Sequence, residues 1–156
     1  MRVRVIAVGT RMPHWVRSAC DDYLKRLAPH LNVVLTELAP GVRAGAARVA
    51  KARGSEGERL LATLRAGEHV VALDERGAQL STRELAAWLK ARMHAGEDLA
   101  LLLGGADGLA AEVLSRSNYR LALSKLTLPH ALARVVLLEQ LYRAMSILTQ
   151  HPYHRD

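Results

Sequence analysis

The strongest constraint on how this chain folds is a succession of short, nearly unbroken apolar runs, each followed by a segment of helical pattern. "RVRVIAVG" (2–9), "LNVVLTEL" (31–38), "HVVALD" (69–74), "DLALLLGG" (98–105) and "YRLALS" (119–124) have the length and composition of strands. Pro13 opens a helix to about Leu27, where its missing N–H is not needed. After the loop "PGVRAG" an alanine- and arginine-rich helix runs to about Arg65, with an interruption expected at the glycines of "RGSEG". Ser81 and Glu84 form a capping-box pattern that opens a helix to about His94. A short helix from about Gly108 to Ser115 and a long one from His130 to Thr149 complete the pass.

Strands apolar on both faces and alternating with helices predict an α/β fold: a parallel sheet covered on both sides. At 156 residues and half hydrophobic, the chain is sized for one domain spanning 1–156, with a core large enough to need neither disulfide nor structural metal. Cys20, the single cysteine, excludes an internal disulfide and a cysteine-based metal cluster, and it fits a reducing compartment. The start, "MRVRVIAVG", lacks the features of a signal peptide, and no stretch approaches a membrane span of roughly 20 residues, so a cytoplasmic protein is expected.

In parallel sheets ligands bind beyond the carboxyl ends of the strands. Three such ends stand out: "DERG" after Leu73, "GGADG" after Leu103 and "SKLTLPH" after Leu123. The glycine loop matches neither the dinucleotide nor the phosphate-loop spacing, so alone it reads equally as a structural turn. The net charge of +7, from 22 Lys and Arg against 15 Asp and Glu, favours a polyanionic partner. Part of it is the run Arg43, Arg48, Lys51, Arg53, Arg59 and Arg65, opposed only by Glu56 and Glu58. Taken alone, that run reads as a solvated helical face before a nucleic-acid surface.

The last segment is the most specific. His130, Arg134, Glu139, Tyr142 and Arg143 sit on or just before the long helix, followed by the tail "HPYHRD" (151–156). Each has a structural reading: a helix start for His130, an i,i+4 surface pair for Glu139 and Arg143, a core aromatic for Tyr142. Clustering with His151, Tyr153, His154 and Arg155 points instead to a site. The helix is expected to place the tail beside the strand-end loops, with Asp156 as its loose end.

"LPHALARVVLLEQLYRA", the terminal "HPYHR", "AVGTRMPHWVRSACDDYLKRL", "VALDERG" and "LLLGGADG" together resemble the bacterial ribosomal RNA large-subunit methyltransferase H family, over essentially the whole chain. One departure is Ala106 and Asp107, where members commonly have Pro and Glu; it touches the shape of the loop and not its glycines. The resemblance implies a SPOUT-class α/β fold with a C-terminal trefoil knot, which strand pattern alone argues against. It also implies S-adenosylmethionine as cofactor, no metal, a homodimer with an active site shared between subunits, and N3 of a pseudouridine in 23S rRNA of the assembled ribosome as substrate. By matching motifs, cofactor contacts fall on Leu73, Gly104, Leu123, Ser124, Lys125, Leu126, Thr127 and Leu128. Residue type and clustering suggest His154 and Tyr153 for proton handling and Arg143 for oxyanion or phosphate contact, with Arg155, His151, Tyr142 and His130 toward RNA. Two other readings stay open on composition: a basic RNA- or ribosome-binding protein without catalysis, and a methyltransferase of the same class acting on transfer RNA.

Overall fold

The computed structural model describes residues 1–42 and 45–155; Arg43, in the basic run, and Asp156, the expected loose end, lie outside the described residues. In chain order the elements are β1 (Arg2–Val8), α1 (His14–Leu27), β2 (Asn32–Leu38), α2 (Ala46–Thr63), β3 (His69–Gln79), α3 (Thr82–His94), β4 (Leu99–Leu103), α4 (Ala111–Arg116), β5 (Tyr119–Ala122) and α5 (His130–Leu148). The strands pair in the order β2-β1-β4-β3-β5, every pairing parallel. The α/β class and the parallel sheet are as expected.

Strand alternation divides the core between the two faces. Val3, Val5 and Ala7 of β1, Val71 of β3 and Leu99, Leu101 and Leu103 of β4 pack with α1, α3 and α5. Their neighbours Ile6, Val8, Val70, Ala100 and Leu102 pack with Leu60 of α2 and Val113 of α4. A period of two is what sends successive side chains to opposite layers, and it explains why these runs contain almost no polar residues.

Several boundaries differ from expectation, each for a packing reason. Helix α2 runs through "RGSEG" unbroken. A Cβ on Gly57 would lie 2.8 Å from the Cβ of Ala110, so this glycine permits close helix contact instead of ending the helix. The short helix α4 starts at Ala111, three residues later than expected, because Gly105 and Gly108 pair with each other and Gly108 takes a φ of +75°. "DERG" is not a terminal loop. Strand β3 continues to Gln79, and Leu121 pairs with both Leu73 and Ala78, so residues 74–77 bulge out of the strand. Gly77 permits the bulge to close: a Cβ there would stand 2.7 Å from the backbone of Arg120 and Leu121. The capping box at α3 is as expected, with Ser81 Oγ accepting from the Glu84 N–H at 3.2 Å and Glu84 accepting from the Ser81 N–H at 2.7 Å.

Helix α5 is anchored at its first turns by Arg134, which is 1% exposed. Its guanidinium donates to the Val8 carbonyl at 3.1 Å, the Gly9 carbonyl at 3.3 Å and Glu37 Oε1 at 2.7 Å. Burial pushes the Arg134 pKa down, and the Glu37 carboxylate opposes that shift. A buried arginine deprived of its carboxylate is an uncompensated charge, so Glu37→Gln is expected to lower stability by roughly 3 kcal/mol. Urea unfolding checks this, with the midpoint falling at an unchanged m-value.

Candidate active site

Leu73 of β3, Asp74 and Glu75 of its bulge, Leu121 from β5, the following loop and Ala133 of α5 line a pocket of about 120 Å³ at the bulge of β3 and the carboxyl end of β5. The expected cofactor residues Leu73, Leu123, Ser124, Leu126, Thr127 and Leu128 are all in its wall. Local bonds shape the loop. Ser124 Oγ accepts from the Leu126 N–H at 2.9 Å, closing a tight turn that leaves the Leu126 side chain 74% exposed. Thr127 Oγ1 lies 3.4 Å from Glu75 Oε2 across the mouth. Lys125, which is exposed, and Gly104, which is half-buried, lie outside the lining.

Gly104 has a structural explanation of its own. A Cβ there would sit 2.5 Å from the backbone of Gly108, so the turn after β4 requires glycine at this position with or without a ligand. The pocket adds Asp74, Glu75, Leu121 and Ala133, which the sequence reading did not single out as ligand residues. "DERG" was the visible signal for the two carboxylates. Leu121 and Ala133 look like ordinary core positions in a linear pattern.

The tail forms a second cluster. Glu139 is its centre: Arg143 donates to Oε1 through Nε at 2.8 Å and Nη2 at 2.7 Å, Tyr153 Oη donates to the same oxygen at 3.2 Å, and Gln140 donates to Oε2 at 2.6 Å. The Arg143 guanidinium also lies 4.7 Å over the Tyr153 ring. Tyr23 of α1 approaches Tyr153 hydroxyl to hydroxyl at 3.5 Å. The tail turns back at Gln150, whose φ is 56°, and the His151 N–H donates to the Ser146 carbonyl at 2.8 Å. His151 Nδ1 accepts from the Tyr153 N–H at 3.3 Å, His154 is half-buried and Arg155 is exposed.

One expectation about this cluster needs correction. Tyr142 is 7% exposed, with its ring 4.6 Å from Tyr153 and 6.4 Å from Tyr23, so it is a core aromatic and has no free face for an RNA base. No described tail residue lines the pocket, and the tail is anchored at Glu139 and Arg143, six and ten residues along α5 from the lining residue Ala133. His130 stays at the strand-end side, its ring against Gly9, so the residues expected to contact RNA are split between the two ends of α5.

Burial, with the Tyr23 and Glu139 contacts behind it, holds the Tyr153 phenol well above its ordinary pKa. Tyr153 is therefore a neutral hydrogen-bond donor near neutral pH. The Glu139 carboxylate raises Arg143 in the same way, keeping it cationic. Because folding favours the protonated phenol, its stabilising contribution is complete below the unfolded value of about 10 and is lost above it. The stability advantage of the wild type over Tyr153→Phe is accordingly expected to shrink as pH rises past about 10. Parallel urea titrations of the two proteins would read it, and a constant difference would refute it.

Among the described residues no group of His, Cys, Asp and Glu could hold a metal ion, and no helix is long and apolar enough to cross a membrane. The family profile described as "Predicted SPOUT methyltransferase" matches residues 1–154. The chain is 49% identical over 156 residues to the ribosomal RNA large subunit methyltransferase H of Thiobacillus denitrificans, covering 100% of both. It is 52% identical over 155 residues to the protein of the same name from Chromohalobacter salexigens, covering 99% of this chain and 100% of that one. Among solved structures, it resembles a probable methylase family protein from Haemophilus influenzae (TM-score 0.58, 16% identity, 99% of this chain and 70% of that one). It also resembles a methylase family protein from Neisseria gonorrhoeae (TM-score 0.53, 17% identity, 98% and 95%); these two likenesses concern the fold. A parallel sheet with a pocket at its strand ends and full-length likeness to these relatives place the chain in the SPOUT methyltransferase family, in the ribosomal RNA large subunit methyltransferase H group.

Proposed function

We propose that this protein is an S-adenosylmethionine-dependent methyltransferase that acts on N3 of a pseudouridine in 23S rRNA, on the assembled ribosome, as a cytoplasmic homodimer. The observation that carries the reading is full-length identity near one half to proteins named for large-subunit rRNA methylation, joined to a pocket built from the strand-end loops. The reading also takes the chain as one domain, with the knot that the family resemblance implies in its C-terminal part.

The pocket suits such a cofactor chemically. Its wall is small or aliphatic side chains and loop backbone, with Asp74 and Glu75 at one side. Backbone donors and acceptors of 123–128 can hold adenine and ribose, and the two carboxylates favour a cationic ligand. When bound, the cofactor supplies an electrophilic methyl on a sulfonium. The chain's task is to align an incoming imide nitrogen with it, exclude water, and accept or disperse the charge left as the nitrogen loses its proton.

In this scheme His154 takes the proton. Tyr153, held protonated, serves as a donor to the developing oxyanion, beside the Arg143 cation. Arg155, exposed at the end of the tail, meets phosphate. His151 and His130 remain on the RNA side of the proposal. The lack of any described tail residue in the pocket wall of its own chain, and the pocket's small volume beside the 300–1,000 Å³ or so of ligand sites generally, favour completion of each pocket by the partner's tail.

Two experiments test this. Labelled S-adenosylmethionine is offered with naked 23S rRNA, separated subunits, and whole ribosomes with and without the pseudouridine. Label is expected only in whole ribosomes that carry the modified base; label in naked RNA or transfer RNA contradicts the proposal. For the shared site, a pocket variant, Ser124→Trp, and a tail variant, His154→Ala, are each expected to be inactive. Refolded together in equal amounts, they should recover about a quarter of wild-type activity, because half the dimers then hold one intact site of two. No recovery would mean that each chain completes its own site.

A further inference from the structure

The carboxyl end of the sheet has a second opening, at β2. Between the segment after β2 and helix α2 lies a groove of about 460 Å³, walled by Pro40 and Val42 on one side and by Arg48, Lys51 and Arg59 on the other. Successive positions 48, 51, 55 and 59 fall within one narrow face of α2, so the cations form a row about 16 Å long. The floor is fixed. A Cβ on Gly41 would stand 2.7 Å from the Cα of Ala52, and the buried Glu56 carboxylate accepts from the Gly41 N–H at 2.8 Å. Among the described residues Arg59 is held in place by neutral acceptors, the Ala39 carbonyl at 2.5 Å, the Ser55 carbonyl at 3.3 Å and Ser55 Oγ at 3.1 Å.

What sets this groove apart is that three cations line one wall of it, although exposed cations elsewhere, such as Lys90 and Lys125, also have no carboxylate partner among the described residues. Arg2, Arg4, Arg26, Arg92, Arg134 and Arg143 each pair with a carboxylate. Among the described residues, no carboxylate pairs with Arg48, Lys51 or Arg59. Val42, 77% exposed, offers an apolar edge beside them. Unpaired cations in a row, next to an apolar wall, match the alternation of phosphate with ribose and base along a single strand. The groove and the strand-end pocket open on the same edge of the sheet, three strand positions apart in the order β2-β1-β4-β3, a separation of roughly 14 Å.

We propose that the groove between α2 and residues 39–42 binds the sugar–phosphate backbone of a single-stranded RNA segment and holds it across the carboxyl edge of the sheet. This rests on the reading of the chain as an RNA methyltransferase. The test compares wild type, Arg48→Ala/Lys51→Ala, and Lys90→Ala on α3 as a surface-charge control, all first checked for equal unfolding midpoints. Binding of a labelled oligouridylate of about eight nucleotides is measured as a function of salt. If two phosphate contacts are lost, the slope of log K against log salt falls by about 1.4 for the double variant, and affinity at 0.15 M salt drops roughly 10- to 15-fold. Lys90→Ala should change neither. Equal slopes for wild type and the double variant, or the same per-charge loss in Lys90→Ala, overturn the proposal. Methylation of ribosomes by the wild type is scored separately: its absence would sink the enzymatic reading, while the salt slopes would still decide the groove.

Discussion

Much of this architecture depends on one buried arginine. Arg134 joins the start of α5 to the ends of β1 and β2 through two main-chain carbonyls and the Glu37 carboxylate. Its position explains the geometry around it. Gly9 has a φ of +118°, and a Cβ there would stand 3.0 Å from Met12, 3.2 Å from His130 and 3.3 Å from Arg134, so the turn after β1 has room only for glycine. The neighbouring residue, Ala133, lines the strand-end pocket, and the loop 123–128 is stretched between β5 and the helix that Arg134 fixes. Cys20 packs nearby, and burial pushes its thiol up despite the adjacent guanidinium, which leaves it a small apolar filler.

Glu139 does at the other end of α5 what Arg134 does at the first. It gathers Arg143, Gln140 and Tyr153, and Tyr153 in turn meets Tyr23 of α1, so a tail that would otherwise fray is tied to two helices. Order at this point is costly in chain entropy, and the groups it orders are a cation, a protonated phenol and imidazoles. Through Glu139 the tail is fixed six residues, roughly 9 Å of helix, beyond the pocket residue Ala133.

What could be read from the sequence was what local pattern encodes. The strands are short apolar runs, the α3 cap is a four-residue signal, and the polar residues of α5 interrupt an otherwise apolar helix. What could not be read depends on contacts distant in the chain. The bulge at residues 74–77 exists because Leu121 pairs twice, and "DERG" carries no local sign of that register shift. The glycines of "RGSEG" look like breakers until Ala110 is placed against Gly57. Arg134 stood among the polar residues of the candidate site, and since arginine is almost never fully buried, only its three acceptors account for its place in the core. Tyr142 had both readings open, and packing against Tyr23 and Tyr153 decided for the core.

Charge is polarised along the carboxyl edge of the sheet. Asp74 and Glu75 stand at the β3 end, and Arg48, Lys51 and Arg59 stand at the β2 end. At physiological ionic strength the Debye length is about 8 Å, shorter than the roughly 14 Å between the two strands, so each group acts on its own surroundings. Asp74 and Glu75 favour a small cation in the pocket, with Arg76 next to them in the chain and Lys125 in the loop 123–128 to meet the target nucleotide, while Arg48, Lys51 and Arg59 favour a polyanion in the groove. The same edge can hold two ligands of opposite charge without one displacing the other, which is what a reaction between a sulfonium and a nucleic acid requires of a surface this small. A uniformly basic edge would gain affinity for RNA, but phosphates would then compete for the pocket.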